Sequence, residues 1–428
     1  MREREVLETG VLTGIRVADF SRVLAGPYAT MMLADFGADV IKIESPAGDD
    51  TRSWTPPVDA SGSSTYFGSV NRNKRSIVCD LRTGAGLATA RRLAGTADVV
   101  IENFRPGVME KFGLDETTLR GVNPGVVYCS ITGFGRGEGA PLAGYDLLVQ
   151  AVGGLMSITG EPDGEPSKVG VALVDVLTGL NAFSGILLAL RERDRTGLGQ
   201  RVDLDLMSTL LSALTNQAAS TLATGKSPER LGNAHPSIAP YEVFAAADRR
   251  LVIAVGNDRQ FGALSRVIGA GELAVDERFR TNQSRVAHRE ELCAALELRL
   301  RTQSAAHWVN QCSAVGVPAG LVNSVQEAFA FAEVLGLEAV AEIRPVPAAV
   351  TAAEGAAGSG AAADDGDAPV LDRVSRQVAN PIHLSANPPR HRAVPPQLGE
   401  HNGAFWHSRP AQVQNPKPVL LPAKESAS

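Results

Sequence analysis

A rhythm in the first 150 residues constrains the fold of this 428-residue chain more than any other feature. Short runs rich in β-branched residues, at 15–20, 38–43, 98–101 and 126–131, alternate with longer mixed segments. Among the latter, 28–35, closed by Gly37, and 84–93 carry apolar residues at helical spacing. Such alternation predicts an α/β fold built on a mainly parallel, doubly wound sheet, with ligands expected beyond the carboxyl ends of its strands.

The length implies two or three domains. Residues 11–225 read as one large α/β domain. Near Gly232 the texture turns loop-like, in Asn233-Ala-His-Pro-Ser-Ile-Ala-Pro, and 241–256 reads as two strands joined at Asp248-Arg249. A smaller α+β domain is therefore expected over 226–330. Residues 348–369 are nearly all Ala, Gly, Ser and Asp, too poor in large apolar side chains to order themselves, and 408–428 is expected to be a disordered tail.

With 44% hydrophobic and 21% charged residues the composition is that of a globular enzyme, and a net charge of -6 argues against a nucleic-acid partner. Cys79, Cys129, Cys293 and Cys312 lack metal-ligand spacing and read as reduced core residues, so no metal is expected. The N-terminus has no apolar signal core, and the longest apolar run, near 185–190, is far short of the roughly 20 residues that span a bilayer. A cytoplasmic location without a membrane partner is the expectation.

Gly133-Phe-Gly-Arg-Gly-Glu-Gly follows a strand, but Pro141 and Gly144 come next where a dinucleotide site would need a helix. It reads as a loop. Different in kind is an ordered string comprising Gly144-Tyr-Asp146, Val169-Gly-Val-Ala-Leu-Val-Asp175 and Arg195-Thr-Gly-Leu-Gly-Gln-Arg-Val-Asp203. Asp175 follows a strand-like run and opens a helix predicted over 175–193, where unpaired N–H groups and the helix dipole favour an ionised carboxylate. An acyl-transfer nucleophile must be ionised. From spacing alone the simpler reading is a helix N-cap contributing about 1 kcal/mol.

These stretches are joined, in order, by Asp19-Phe-Ser-Arg-Val-Leu-Ala-Gly-Pro, Gly37-Ala-Asp-Val-Ile-Lys-Ile-Glu, Asp50-Thr-Arg, Asn73-Lys-Arg-Ser, Ala97-Asp-Val-Val-Ile-Glu-Asn-Phe-Arg-Pro-Gly, Gly316-Val-Pro and Pro395-Pro-Gln-Leu-Gly-Glu-His. From about 12 to 401 the chain thereby resembles the family III CoA transferases, which include formyl-CoA transferase, carnitine CoA-transferase and α-methylacyl-CoA racemase. The resemblance implies a Rossmann-like large domain, an interlocked homodimer, and a segment 331–407 that returns to the large domain.

It also implies an acyl-CoA:carboxylate CoA-transferase in which Asp175 attacks a donor thioester, giving a mixed anhydride that the released CoA thiolate converts to an aspartyl-CoA thioester. CoA thioesters are then substrates, and no permanently bound cofactor is implied. By position the CoA contacts map to Val23, Leu24, Arg82, Asn103, Phe104, Arg105 and Lys111. Of these, Arg82, Arg105 and Lys111 suit phosphates. An arginine that meets the nucleotide in formyl-CoA transferase is replaced here by Ser45.

The place of the family's glycine-rich lid is taken by Gly256-Asn-Asp-Arg-Gln260, making Gly256 and Gln260 lid candidates; an ordinary turn after a strand is the alternative. Tyr145 stands where racemase-type members carry a histidine. A phenol, ordinarily titrating near 10, is a poor general base at neutral pH, which favours transfer over racemisation. The stretches 233–241 and 255–257 look most like the dicarboxylate branch, exemplified by succinyl-CoA:glutarate CoA-transferase. A second carboxylate needs a cation or donor, for which Arg52 and His235 are candidates beside Trp54 and Tyr66. The competing readings are a 2-methylacyl-CoA racemase and a catalytically silent CoA-binding protein.

Overall fold

The computed structural model describes residues 10–344 and 374–407. The composition-biased stretch 348–369 and the tail 408–428 lie outside them. The chain divides into two compact units, one comprising residues up to 144, 173–209 and from 339 onward, the other 145–172 and 210–338. The division differs from the expected one: 145–172 and 210–225, read from sequence as part of the large domain, belong to the second unit, and the return begins at 339 instead of 331.

The first unit holds a six-stranded parallel sheet of β1 (Arg16–Asp19), β2 (Asp39–Glu44), β3 (Lys74–Val78), β4 (Val99–Glu102), β5 (Val127–Thr132) and β6 (Arg201–Asp205). Their order is β3-β2-β1-β4-β5-β6. Strand order therefore reverses between β1 and β4, and the crevice beyond their carboxyl ends is where such sheets bind ligands. β3 escaped the sequence reading because Lys74-Arg75-Ser76 masks its apolar half.

Strand alternation sorts the core into two layers. Val17, Val99, Ile101, Val127 and Cys129 face α1 (Ala25–Asp35) and a long helix at 173–196. Ala18, Ile41, Ile77, Val100 and Tyr128 pack with residues of α3 (Gly84–Gly95) and α5 (Glu116–Val122). The short α2 (Thr65–Ser69) and α4 (Val108–Lys111) follow the carboxyl ends of β2 and β4. The glycine-rich loop after β5 forms no helix before α6 (Asp146–Val152). A Cβ on Gly133 would stand 2.4 Å from Gly144 Cα, so these glycines serve close backbone passage.

The long helix, α7 (Leu173–Thr196), is long and apolar enough to cross a membrane by length and composition. Here it lies in the core, burying Val174, Thr178, Ala182, Ile186 and Ala189. Gly179 lets it approach α1 closely, since a Cβ there would sit 2.7 Å from Ala25 O and 3.1 Å from the Tyr28 ring. Further along, Phe183 stacks on Phe36 with centroids 6.3 Å apart.

In the second unit, β7 (Tyr241–Ala245), β8 (Arg250–Ala254) and β9 (Ala319–Leu321) form an antiparallel sheet, with the β7–β8 turn where Asp248-Arg249 predicted it. After α8 (Leu206–Ala213) and α9 (Thr215–Thr224) come α10 (Asp258–Val267), α11 (Asn282–Ala287), α12 (Arg289–Leu300), α13 (Ala305–Ala314) and α14 (Val325–Val334). Phe244, Ile253, Phe261, Leu292, Leu296 and Trp308 form its core. In the first unit, β10 (Val340–Ile343) pairs antiparallel with β11 (Ser375–Val378).

Gly179→Ala tests the α1–α7 approach. Alanine gains about 1 kcal/mol of helix propensity, while forcing a methyl into this contact costs about 1–3 kcal/mol. With backbone as the nearest neighbour the steric cost wins, and urea unfolding is expected to show a net loss of up to about 2 kcal/mol.

Candidate active site

A buried charge network joins β1, β2 and β3, from Asp19 and Glu44 at the carboxyl ends of their strands to Lys74, the first residue of β3. Asp19, at the end of β1, accepts from the Ser21 N–H (2.9 Å), the Thr30 hydroxyl (2.6 Å) and Lys74 Nζ (3.1 Å). Lys74 also donates to Pro27 O and Asn71 Oδ1, both at 2.9 Å, which uses all three ammonium protons. Lys42 pairs with Asp49 at 2.8 Å and donates to Ser21 O at 2.8 Å. Glu44 accepts from Arg52 Nε (2.8 Å) and Nη2 (2.7 Å), the Ser76 hydroxyl (2.6 Å) and the Asp49 N–H (3.0 Å).

Three carboxylates and three cations balance here, as buried charges must. Burial opposes ionisation of Asp19, but Lys74 and Lys42 outweigh it and hold the carboxyl below its ordinary value. Glu44 and Asp49 are likewise held down, against burial, by Arg52 and Lys42. Burial brings Lys74 down to about 8 despite the pull of Asp19.

Above this network opens a cleft of about 210 Å³ lined by Ser21, Arg22, Ser45, Asp80, Arg82 and Phe104 among others. Two of the expected CoA-binding residues, Arg82 and Phe104, thus line one cleft at the switch point. Arg82 is largely exposed and pairs with Asp80 at 2.9 Å. Val23 and Leu24 follow the lining residues Ser21 and Arg22 and lead into α1. Asn103 faces inward: its carboxamide accepts from the Arg22 N–H (2.9 Å) and donates to Arg22 O (2.8 Å), bridging the β1 and β4 loops. Arg105 lines a separate small recess with Glu102, Tyr128, Ser130 and Arg201, and Lys111 ends α4 facing solvent.

Asp175 is the third residue of α7, within its first turn, so it is not the N-cap of the sequence reading. It is half-buried and still lies where the N-terminal N–H groups and dipole favour an anion. Residues i and i+4 share a helix face, which puts Asp175 above Gly179. Gly179 touches Ala25 at the start of α1 and Phe183 meets Phe36 past its end.

Arg52 does not present a free cation. Glu44 holds it bidentately, Nη1 donates to Pro396 O at 3.0 Å, and the guanidinium lies 3.7 Å over the Phe67 ring. Trp54 and Tyr66 meet edge-on, with centroids 5.1 Å apart. The other predicted residues lie in the second unit. Tyr145 is the exposed N-cap of α6. His235 Nδ1 accepts from the Ser237 N–H at 3.1 Å, and its ring packs 5.3 Å from that of Tyr241. Gln260 accepts from the Gly256 N–H at 2.8 Å and donates to Gly316 O at 3.3 Å, fastening the turn that opens α10.

The sequence reading missed Arg22, Lys42 and Asp49 as site residues. A signal existed for Lys42, a charge inside the apolar run Val40-Ile41-Lys42-Ile43, since such a charge is buried only with a partner. Cys79, Cys129 and Cys312 are buried and Cys293 half-buried, all with free thiols.

Burial raises the Glu102 carboxyl, at the end of β4, to about 6, partly offset by bonds from Ser130 and the Phe104 N–H. A raised carboxyl stabilises the fold below its ordinary 4.5, and that contribution is lost as pH rises through about 6. Relative to Glu102→Gln, the native protein should lose on the order of 2 kcal/mol of unfolding free energy between pH 4 and pH 7. Urea unfolding of both proteins at the two pH values measures this.

Comparison with known proteins agrees with the geometry. A profile described as CoA-transferase family III matches residues 12–402. The succinate–glutarate CoA-transferase of Agrobacterium fabrum is 45% identical over 397 residues, covering 91% of this chain and 93% of that relative. The succinyl-CoA:glutarate CoA-transferase of Mus musculus is 44% identical over 326 residues, 76% of this chain and 74% of that protein. The crystal structure of a CAIB/BAIF family protein from Brucella suis superposes with a TM-score of 0.79 at 44% identity, covering 92% of this chain and 97% of that one. A matched profile over nearly the whole chain, the six-stranded parallel sheet and the cleft at its switch point place this protein in CoA-transferase family III.

Proposed function

We propose that this protein moves CoA from succinyl-CoA to a dicarboxylic acid through Asp175. The observations that carry the reading are the family III match over residues 12–402 and the place of Asp175 in the first turn of α7, where the helix N-terminus favours an ionised carboxylate. The Asp175 carboxylate attacks the thioester carbonyl carbon: a C–O bond forms, the C–S bond breaks, and CoA leaves as thiolate. The thiolate attacks the aspartyl carbon of the mixed anhydride, releasing succinate and leaving aspartyl-CoA. The acceptor carboxylate then attacks that thioester, and CoA thiolate finally attacks the acceptor's acyl carbon, restoring Asp175. Each step exchanges one activated acyl group for another, so no permanently bound cofactor is needed.

The cleft takes the nucleotide end of CoA, with Arg82 on the phosphates and Phe104 as an apolar wall; Arg105 and Lys111 extend the positive charge along the β4 loop. The acceptor's second carboxylate is assigned to His235. With Nδ1 accepting from Ser237, the neutral ring carries its proton on Nε2, a donor for a carboxylate oxygen. Trp54, Tyr66 and Tyr145 are assigned to substrate contacts on the likeness of sequence, while Arg52 is held by Glu44. Gly256 and Gln260 are assigned to the water-excluding lid on the likeness of sequence. The relatives' names, which pair succinate with glutarate, support a dicarboxylate acceptor. Exposed apolar side chains such as Leu188, Leu222 and Val334 support an interlocked homodimer, and a cytoplasmic location completes the reading.

The test is turnover of succinyl-CoA against a panel of acceptor acids, with hydroxylamine added to trap the thioester. A hydroxamate on Asp175 is expected, and Asp175→Ala should cut transfer by at least about a thousandfold. An unmodified Asp175 would mark a silent CoA-binding protein. Incorporation of α-deuterium into a chiral 2-methylacyl-CoA without acceptor acid would mark the racemase instead.

A further inference from the structure

The 21–23 loop makes its cross-loop bonds to side chains. Ser21 O accepts from Lys42 Nζ at 2.8 Å. The Arg22 N–H and C=O both bond the Asn103 carboxamide, at 2.9 and 2.8 Å. The Val23 N–H lies 3.3 Å from each oxygen of Asp49. Asp49 is itself fixed by Lys42 at 2.8 Å, the Thr51 N–H at 3.0 Å and the Thr51 hydroxyl at 2.8 Å. Both members of the Lys42–Asp49 pair are almost fully buried.

What this clamp holds is a backbone that a β-branched residue avoids. Val23 has φ 69, in the left-handed region where a Cβ crowds the backbone and valine is a genuine outlier. Such strain persists only where the surroundings over-determine it. Next to it, Arg22 is turned to the cleft mouth, with its guanidinium 5.4 Å from the Phe104 centroid and 3.2 Å from Asp50.

We propose that Lys42, Asp49 and Asn103 are positioning residues that hold the strained 21–23 loop so that Arg22 and Val23 meet the CoA thioester, with Asp49 setting its affinity without touching it. The inference rests on the transferase reading above. Loss of the clamp lets Val23 relax, which withdraws binding common to ground and transition states and so raises KM while leaving kcat.

The test uses the full chain, with succinyl-CoA and glutarate as substrates and calorimetric binding of CoA as a readout independent of turnover. Asp49→Asn is expected to raise KM for succinyl-CoA and Kd for CoA by about tenfold or more, with kcat and KM for glutarate within about threefold. Adding Val23→Gly in that background should bring KM back toward that of V23G alone, because glycine adopts the left-handed geometry without being held. A protein merely damaged by D49N would not be rescued. A wild-type KM in D49N, or a D49N defect that V23G leaves unchanged, overturns the inference. If D49N does not fold, melting temperatures decide: V23G should melt above V23A, since alanine keeps the left-handed penalty, and the opposite order overturns the inference. A native protein that neither binds CoA nor transfers it would sink the transferase reading before any variant is made.

Discussion

The buried ion network that joins β1, β2 and β3 is the interaction on which the candidate site depends. Lys42 and Lys74 enter an apolar interior only because Asp19 and Asp49 meet them there. Such a network is weak evidence for stability, since desolvation offsets much of its Coulomb energy, and removing one partner leaves a buried charge at a cost of about 3–5 kcal/mol. Its value is positional. It ties three adjacent strands to the β1–α1 loop and, through Glu44 and Arg52, to the backbone of the returning C-terminal segment at Pro396.

The helix layer is set by a second constraint, the close approach of α7 to α1 at Gly179. A bulkier residue would lift α7, and Asp175 with it, away from α1. Sheet, α1 and α7 are thus registered to one another by short-range contacts inside a single unit.

Much of this was legible in the sequence where one physical signal dominated. Strand runs such as Val99-Val100-Ile101 are apolar because both sheet faces are covered, and β1, β2, β4 and β5 were readable on that basis. β3 was hidden because Lys74 and Arg75 look like surface residues until their carboxylate partners, distant in sequence, are in place. The unit boundaries were misplaced because the chain leaves the first unit at 145 and again at 210, inside stretches with no change of composition. By its place alone Asp175 read as an N-cap, and the family's collinear motifs made it a candidate nucleophile; the helix begins two residues earlier than its carboxylate suggested. Arg52 was read as a pocket cation for want of any sequence signal that Glu44, eight positions away, would take up its guanidinium.

The central claim is that Asp175 carries the acyl and CoA groups between two acids, and an isotope decides it. With an acceptor labelled with oxygen-18 in its carboxylates, the anhydride's bridging oxygen stays on Asp175 when CoA leaves for the acceptor, and passes to the departing succinate in the next turnover. Mass spectrometry should therefore find acceptor oxygen in the peptide containing Asp175 and in the released succinate. Succinate that carries solvent oxygen alone, with Asp175 unlabelled, would contradict the account.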